Sequence, residues 1–376
     1  MTVPELSPHE FVRRRQERVL DVLHAHGVEA VVAVGRSFYD RPGMMAWLSH
    51  HFPPFPTAVF APGVRGLGHA LFVLTPRGST LVVDTPFYRE ELIVADEVRV
   101  ASDLVEATLD VLRPLVGRRV GVADGELLPL PIWRAWTARL ELTWTDVDRL
   151  LWPLRRVKDT YELAMLRRAA RVAGVGLRAA AEAAVPGATE AEVCAAGVAA
   201  ALEAGADFVR YLRVHSGPWS AWGSRWPQAT GRRLQDGDLV VLDIIGAVGG
   251  YGFDVLRTVP VGTPSDEQAR LLDAIDAATA EAISLARPGV PVRRLCARVR
   301  EVLADRGFPD AARFVGHGIG LETVEPPYLR DDQEETLLAG EVLCVEPAVW
   351  RRGWGGASCE QEVIVGETPE VITPAD

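Results

Sequence analysis

The chain has 376 residues, long enough for two ordinary domains, and its 48% hydrophobic content and mean hydropathy of +0.09 exclude extended disorder. The balance of 40 Lys and Arg against 51 Asp and Glu gives a formal charge of −11 with no basic run, so neither nucleic acid nor an anionic membrane surface is expected as the main partner. No apolar run nears the roughly 18 residues that span a bilayer, MTVPELSPHEFVRRRQ lacks a signal-like apolar stretch, and Cys194, Cys296, Cys344 and Cys359 form no CxxC pair. A cytoplasmic globular protein without a disulfide frame or zinc knuckle is expected.

In chain order, Ser7-Pro8-His9-Glu10 reads as a capping box opening a helix that Gly27 closes. The runs VEAVVAV, TAVFAP, HALFVLT and STLVVDT read as strands, the last two joined by a PRG turn. VRVAS, DLVEATLDVLRPLV and RVGVAD add a strand, a helix and a strand, which makes the first half α/β. Helix-rich sequence begins near RRVKDTYELAMLRRAARVAGVGLRAAAEAAV, whose Leu and Ala spacing fits a long amphipathic helix, and places a domain boundary between 1–155 and 156–376. GDLVVLDIIGAV and GYGFDVLRTVPV are β-branched runs meeting at Gly249-Gly250, the signature of an antiparallel hairpin. Two helices follow, in SDEQARLLDAIDAATAEAISLA and PVRRLCARVREVLADRG. The glycine loop GHGIGLETVEPP then precedes strands around VLCVEPAV and EQEVIV.

Asp243 and Asp254 interrupt the apolar hairpin strands. An unpaired carboxylate in a core costs several kcal/mol, on the order of what a whole hydrogen-bond network contributes, so each needs a partner. The hairpin allows both to face one point. His317 stands between glycines, Glu346 lies in an equally apolar strand, and Glu360 follows Cys359. One histidine and four acids in such surroundings match the donor set of a two-cation site.

The order and spacing of these residues resemble the pita-bread metallopeptidases, a family that includes methionine aminopeptidase, aminopeptidase P, Xaa-Pro dipeptidase and creatinase. The resemblance rests on Asp243, then GYGFDVLRT with Asp254, GHGIGLE with His317, CVEPAVW with Glu346 and CEQEVIV with Glu360. It extends upstream to RRVKDTYELAMLRRAA. It implies a creatinase-like α/β N-terminal lid domain before an α+β pita-bread catalytic domain. It also implies two divalent transition-metal ions (Mn, Fe, Co or Zn), with Asp243 chelating one, Asp254 and Glu360 bridging, and His317 and Glu346 on the other. Arg257 and Thr258 would orient the aspartates. Relatives of the prolidase type are homodimers, in which Tyr39, His50 and His51 would reach the neighbouring chain's pocket.

Two histidines of the family pattern are absent. One is replaced by Val324. The other would fall near Ser224 to Trp226, and the arginine usually found two residues before the final glutamate is Ser358. His215, one of the two histidines in the catalytic half, is the candidate proton carrier, with an ordinary strand-end histidine as the plain alternative. Trp219, Trp222, Trp226, Val324 and Ser358 are the candidate substrate contacts, the indoles suiting an apolar or cationic group. Cys344 reads as a packed thiol on the same strand face as Glu346. The resemblance implies a metal-dependent hydrolase of the Xaa-Pro peptidase type, acting on a small specialised amide or C–N bond in a small-molecule or dipeptide-like substrate. A lyase-type enzyme of the same fold and a silent peptide-binding module are the alternatives.

Overall fold

The structure is a computed structural model that describes residues 7–59, 63–221 and 226–374. The chain forms two compact units, Met1–Arg155 and Arg156–Asp376. Among the described residues, no helix is long and apolar enough to cross a membrane.

The first unit contains α1 (Pro8–Ala25), β1 (Ala30–Arg36), α2 (Gly43–Ser49), β2 (His69–Thr75), β3 (Gly78–Val83), β4 (Glu97–Val100), α3 (Leu104–Leu112), β5 (Arg119–Ala123), α4 (Leu130–Arg139), β6 (Thr143–Asp146) and α5 (Asp148–Arg156), the last running across the boundary. Its six strands form a mixed sheet in the order β4-β3-β2-β1-β5-β6. Ser7 caps α1, accepting from the His9 amide, while Glu10 pairs with Arg14 instead of closing the expected capping box. The strand expected in TAVFAP does not form over residues 57–59, and 60–62 lie outside the described residues. Pro53, Pro54 and Pro56 remove ladder donors there, and the Thr57 and Ala58 amides instead both turn to the Gly66 carbonyl. Elements α4, β6 and α5 form between RVGVAD and Arg156, a stretch whose patterning assigns no element. Helix α2 is also unanticipated, because GMMAWLS is buried all round and carries no amphipathic period. His50 and His51 are buried, His51 edge-on to Tyr88.

The second unit contains α6 (Thr160–Ala183), α7 (Glu190–Glu203), β7 (Phe208–Ser216), β8 (Leu239–Val248), β9 (Tyr251–Pro260), α8 (Asp266–Ser284), α9 (Val292–Asp305), β10 (Gly316–Gly318), β11 (Glu325–Leu329), β12 (Val342–Val345), β13 (Ala348–Arg351), β14 (Gly355–Ser358), β15 (Gln361–Ile364) and β16 (Glu370–Val371). It repeats one theme twice. Helices α6 and α7 bury Val172, Leu177 and Val193 against Leu212, Ile244 and Val255 of the β7-β8-β9 sheet. Helices α8 and α9 bury Leu271, Ile275 and Val299 against Leu329, Leu343 and Val363 of the β11-β10-β12-β15-β16 sheet. Both Gly249 and Gly250 adopt positive φ, the backbone that a tight two-residue hairpin demands, and this fixes the β8–β9 register.

Two buried ion pairs tie the start of this unit to its sheets. Lys158 Nζ donates to Glu325 Oε1 at 2.6 Å, with the side chains 1% and 0% exposed. Arg156 Nε donates to Glu341 Oε1 at 2.6 Å.

Candidate metal centre

The hairpin register sets Asp243 opposite Leu256 and Asp254 opposite Ile245, which makes the two aspartates diagonal neighbours on β8 and β9. Glu360 joins them from the start of β15, its amide bonded to the Leu256 carbonyl. One ligand atom each from Asp243, Asp254 and Glu360 lie within 4.8 Å of one another. His317 comes from β10, opposite Cys344 on β12, and Glu346 follows two residues beyond that cysteine. His317 Nε2 lies 3.5 Å from Glu346 Oε1, 3.7 Å from Asp254 Oδ2 and 3.9 Å from Glu360 Oε1. Glu360 belongs to both groupings, the second being His317, Cys344 and Glu360.

These donors fit divalent ions. His317 Nδ1 lies 2.9 Å from the Gly318 carbonyl, which can only accept, so Nδ1 carries the proton and Nε2 presents its lone pair to the acids. Burial lowers the imidazole to about 4, which keeps it neutral. Asp243 Oδ1 and Glu360 Oε1 are buried and find no hydrogen-bond partner. Burial raises Asp243, against the lowering effect of Arg213. It lifts Asp254 well above the usual carboxylate range, helped by the Asp243 and Glu346 charges. Glu346 is pushed up to about 8 by burial and then by Asp243, and Glu360 rises well above its ordinary value through burial, Asp254 and Glu346. Four acids in this space need positive charge to be ionised together.

This electrostatics has a measurable consequence. With no metal bound, Glu346 holds its proton when folded up to about pH 8 but releases it near 4.5 when unfolded, so the metal-free fold loses stability as pH rises through that window. His317 works in the opposite direction, only between about 4 and 6.5. Protein stripped with EDTA is therefore expected to melt at a lower temperature at pH 8 than at pH 6.5, and reloaded metal to abolish the difference. Equal melting temperatures of the stripped protein at the two pH values would contradict this.

The other expected residues lie on several elements. His215 is fully buried in β7 opposite Val241. Trp219 is 46% exposed in the short 3-10 segment Gly217–Ala221, Trp226 is 84% exposed, and Val324 is 49% exposed just before β11. Ser358 is buried in β14, and Trp222 lies outside the described residues. Arg257 donates to the backbone carbonyls of Glu360 and Leu256, and Thr258 exchanges hydrogen bonds with the Ser358 backbone, so both hold the strand that leads to Glu360. Cys344 is buried, and its thiol is directed to the Asp254 carbonyl at 3.7 Å.

Three neighbours of the cage escape a sequence reading. Arg213 pairs with Asp243, Glu362 accepts from the Asp254 amide at 3.0 Å, and the Phe314 ring stacks 6.0 Å from that of His317. Glu362 had a usable signal: it stands two residues after Glu360, hence on the same strand face.

Comparison with known proteins agrees with this architecture. Residues 164–367 match metallopeptidase family M24, and the chain belongs to that family. A probable dipeptidase PepE of Mycobacterium bovis is 38% identical over 228 residues, 59% of this chain and 59% of that protein. A Xaa-Pro dipeptidase of Pyrococcus furiosus is 29% identical over 224 residues, 59% of this chain and 64% of its own length. These matches thus span about three fifths of the curated relatives. Among solved structures, the prolidase of Pyrococcus horikoshii OT3 aligns with a TM-score of 0.82 over 96% of this chain and 99% of that one, at 22% identity. The dipeptidase PepE from Mycobacterium ulcerans aligns with a TM-score of 0.77 over 97% and 96%, at 26% identity. The fold is a creatinase-like α/β N-terminal part followed by a pita-bread α+β part.

Proposed function

We propose that the protein is a metal-dependent hydrolase of the Xaa-Pro peptidase type, acting on the amide or related C–N bond of a small, specialised substrate. The observation that carries this reading is the convergence of Asp243, Asp254, His317, Glu346 and Glu360 from five separate segments on one buried point. These residues would hold two divalent ions of the Mn, Fe, Co or Zn kind, Asp254 and Glu360 lying between them. Ions held there polarise a carbonyl and bring a water's pKa from 15.7 to near 7. The chain's own part is to keep His317 in the tautomer that offers Nε2, to hold four acids ionised only when a cation is present, and to exclude bulk water from the cage. His215 is the remaining imidazole of this unit and is proposed as the proton carrier. Trp219, Trp222 and Trp226, with Val324 and Ser358, are proposed to shape the substrate site.

The test is elemental analysis of loaded protein alongside an assay panel of proline dipeptides and small amides. Bound metal with turnover of at least one small amide is expected, and a protein that takes up no metal would end the enzyme reading. A homodimer is part of the proposal, with Tyr39, 40% exposed, as an available contact. Light scattering at micromolar concentration is expected to give twice the chain mass of 40.9 kDa, and a monomer would count against it.

A further inference from the structure

Arg213 lies directly across the β7–β8 ladder from Asp243, and its Nη1 donates to Asp243 Oδ2 at 2.6 Å, with the side chains 17% and 4% exposed. Nη2 donates to the Tyr211 phenol oxygen, and the guanidinium carbon sits 4.2 Å from the centroid of that ring. A carboxylate and an aromatic ring together hold a planar group in one orientation, which a flexible ammonium would not adopt. The consequence for Asp243 is a division of labour between its oxygens. Oδ2 is committed to the guanidinium, while Oδ1 is buried without a hydrogen-bond partner in a residue whose ligand atom converges with those of Asp254 and Glu360. Arg257, also buried, donates to the backbone carbonyls of Leu256 and Glu360. Ser358, where the family pattern has arginine, supplies no guanidinium.

We propose that Arg213 is a positioning residue for the metal cage: it fixes the rotation of the Asp243 carboxylate so that Oδ1 faces the ion. The proposal rests on the metal-cage reading given above. A side chain that orients a metal ligand through a hydrogen bond typically contributes 10–100-fold to metal affinity. A positive charge that only happened to lie near the cage would repel the ion, and its removal would tighten binding. The two roles therefore predict opposite signs for one measurement.

The experiment is Mn²⁺ titration of metal-stripped full-length protein, followed by calorimetry and by electron paramagnetic resonance of the bound ion, for wild type, Arg213→Met and Arg213→Lys. Arg213→Met is expected to weaken binding of one ion by about 10–100-fold. Arg213→Lys is expected to fall between it and wild type, because lysine keeps the charge without the planar fork. Binding to Arg213→Met that is unchanged or tighter overturns the proposal. Should that variant fail to fold, Arg213→Lys decides alone, since it preserves the charge: weaker binding supports positioning and unchanged binding overturns it. Wild-type protein that takes up no Mn²⁺ defeats the cage reading itself, a result distinct from either outcome for the variants.

Discussion

Replacing Glu360 with alanine is expected to remove at least one metal ion per chain and to abolish turnover. Glu360 belongs to both donor groupings of the cage, so its loss opens both sides at once. Its Oε1 has no protein hydrogen bond to lose, so the change relieves a buried acid rather than breaking a scaffold contact. Glu360→Gln keeps the shape and removes the charge, and should behave in the same way. Elemental analysis after loading and desalting, with circular dichroism as the check on folding, reads the result. A folded Glu360→Ala protein that retains two ions would show that the cage has been assigned to the wrong residues.

The second large effect concerns position 324. Ordinary Xaa-Pro dipeptides are expected to be cleaved slowly by the natural protein, because neither valine nor an indole transfers protons at neutral pH. General acid–base help is typically worth about 10²–10⁴-fold. Val324 is half exposed just before β11, so an imidazole placed there meets solvent rather than the core, and would serve the proposed substrate site. Val324→His is therefore expected to raise kcat/KM for a proline dipeptide by about 10², the low end of that range. Wild-type turnover of such dipeptides near the median enzyme value of roughly 10 s⁻¹ would return the protein to a plain prolidase reading. A folded Val324→His variant with unchanged kinetics would show that substrate does not visit this position.

What the sequence made legible follows from how local each signal is. The hairpin could be read because glycine pairs and alternating apolar runs are local. Two aspartates in those runs needed a partner, whether a salt bridge or a cation. His317 and Glu346 carried similar signals in their glycine loop and apolar strand. Arg213 could not be read, because YLRVHS mixes charged and apolar residues as a half-exposed strand does, and its partner lies 30 residues away. The ion pair exists only once β7 is laid beside β8. Helix α2 was hidden for the opposite reason, since a segment buried on every side has no polar face to mark its period. Elements α4, β6 and α5 went unassigned because such short elements are decided by tertiary packing, Trp136 of α4 stacking on Trp144 of β6.

The buried pairs of Lys158 with Glu325 and Arg156 with Glu341 also decide where the molecule can be cut. The family match begins at residue 164, which invites an excised catalytic fragment starting there. Such a fragment would discard both cations and leave Glu325 and Glu341, whose side chains are 0% exposed, without these counter-charges. Losing one partner of a buried pair costs about 3–5 kcal/mol. Glu325 is the residue next to Val324 and opens the strand that pairs with β10, so the damage would fall beside His317. A fragment meant to keep the cage must therefore begin ahead of Arg156, several residues before the family match begins.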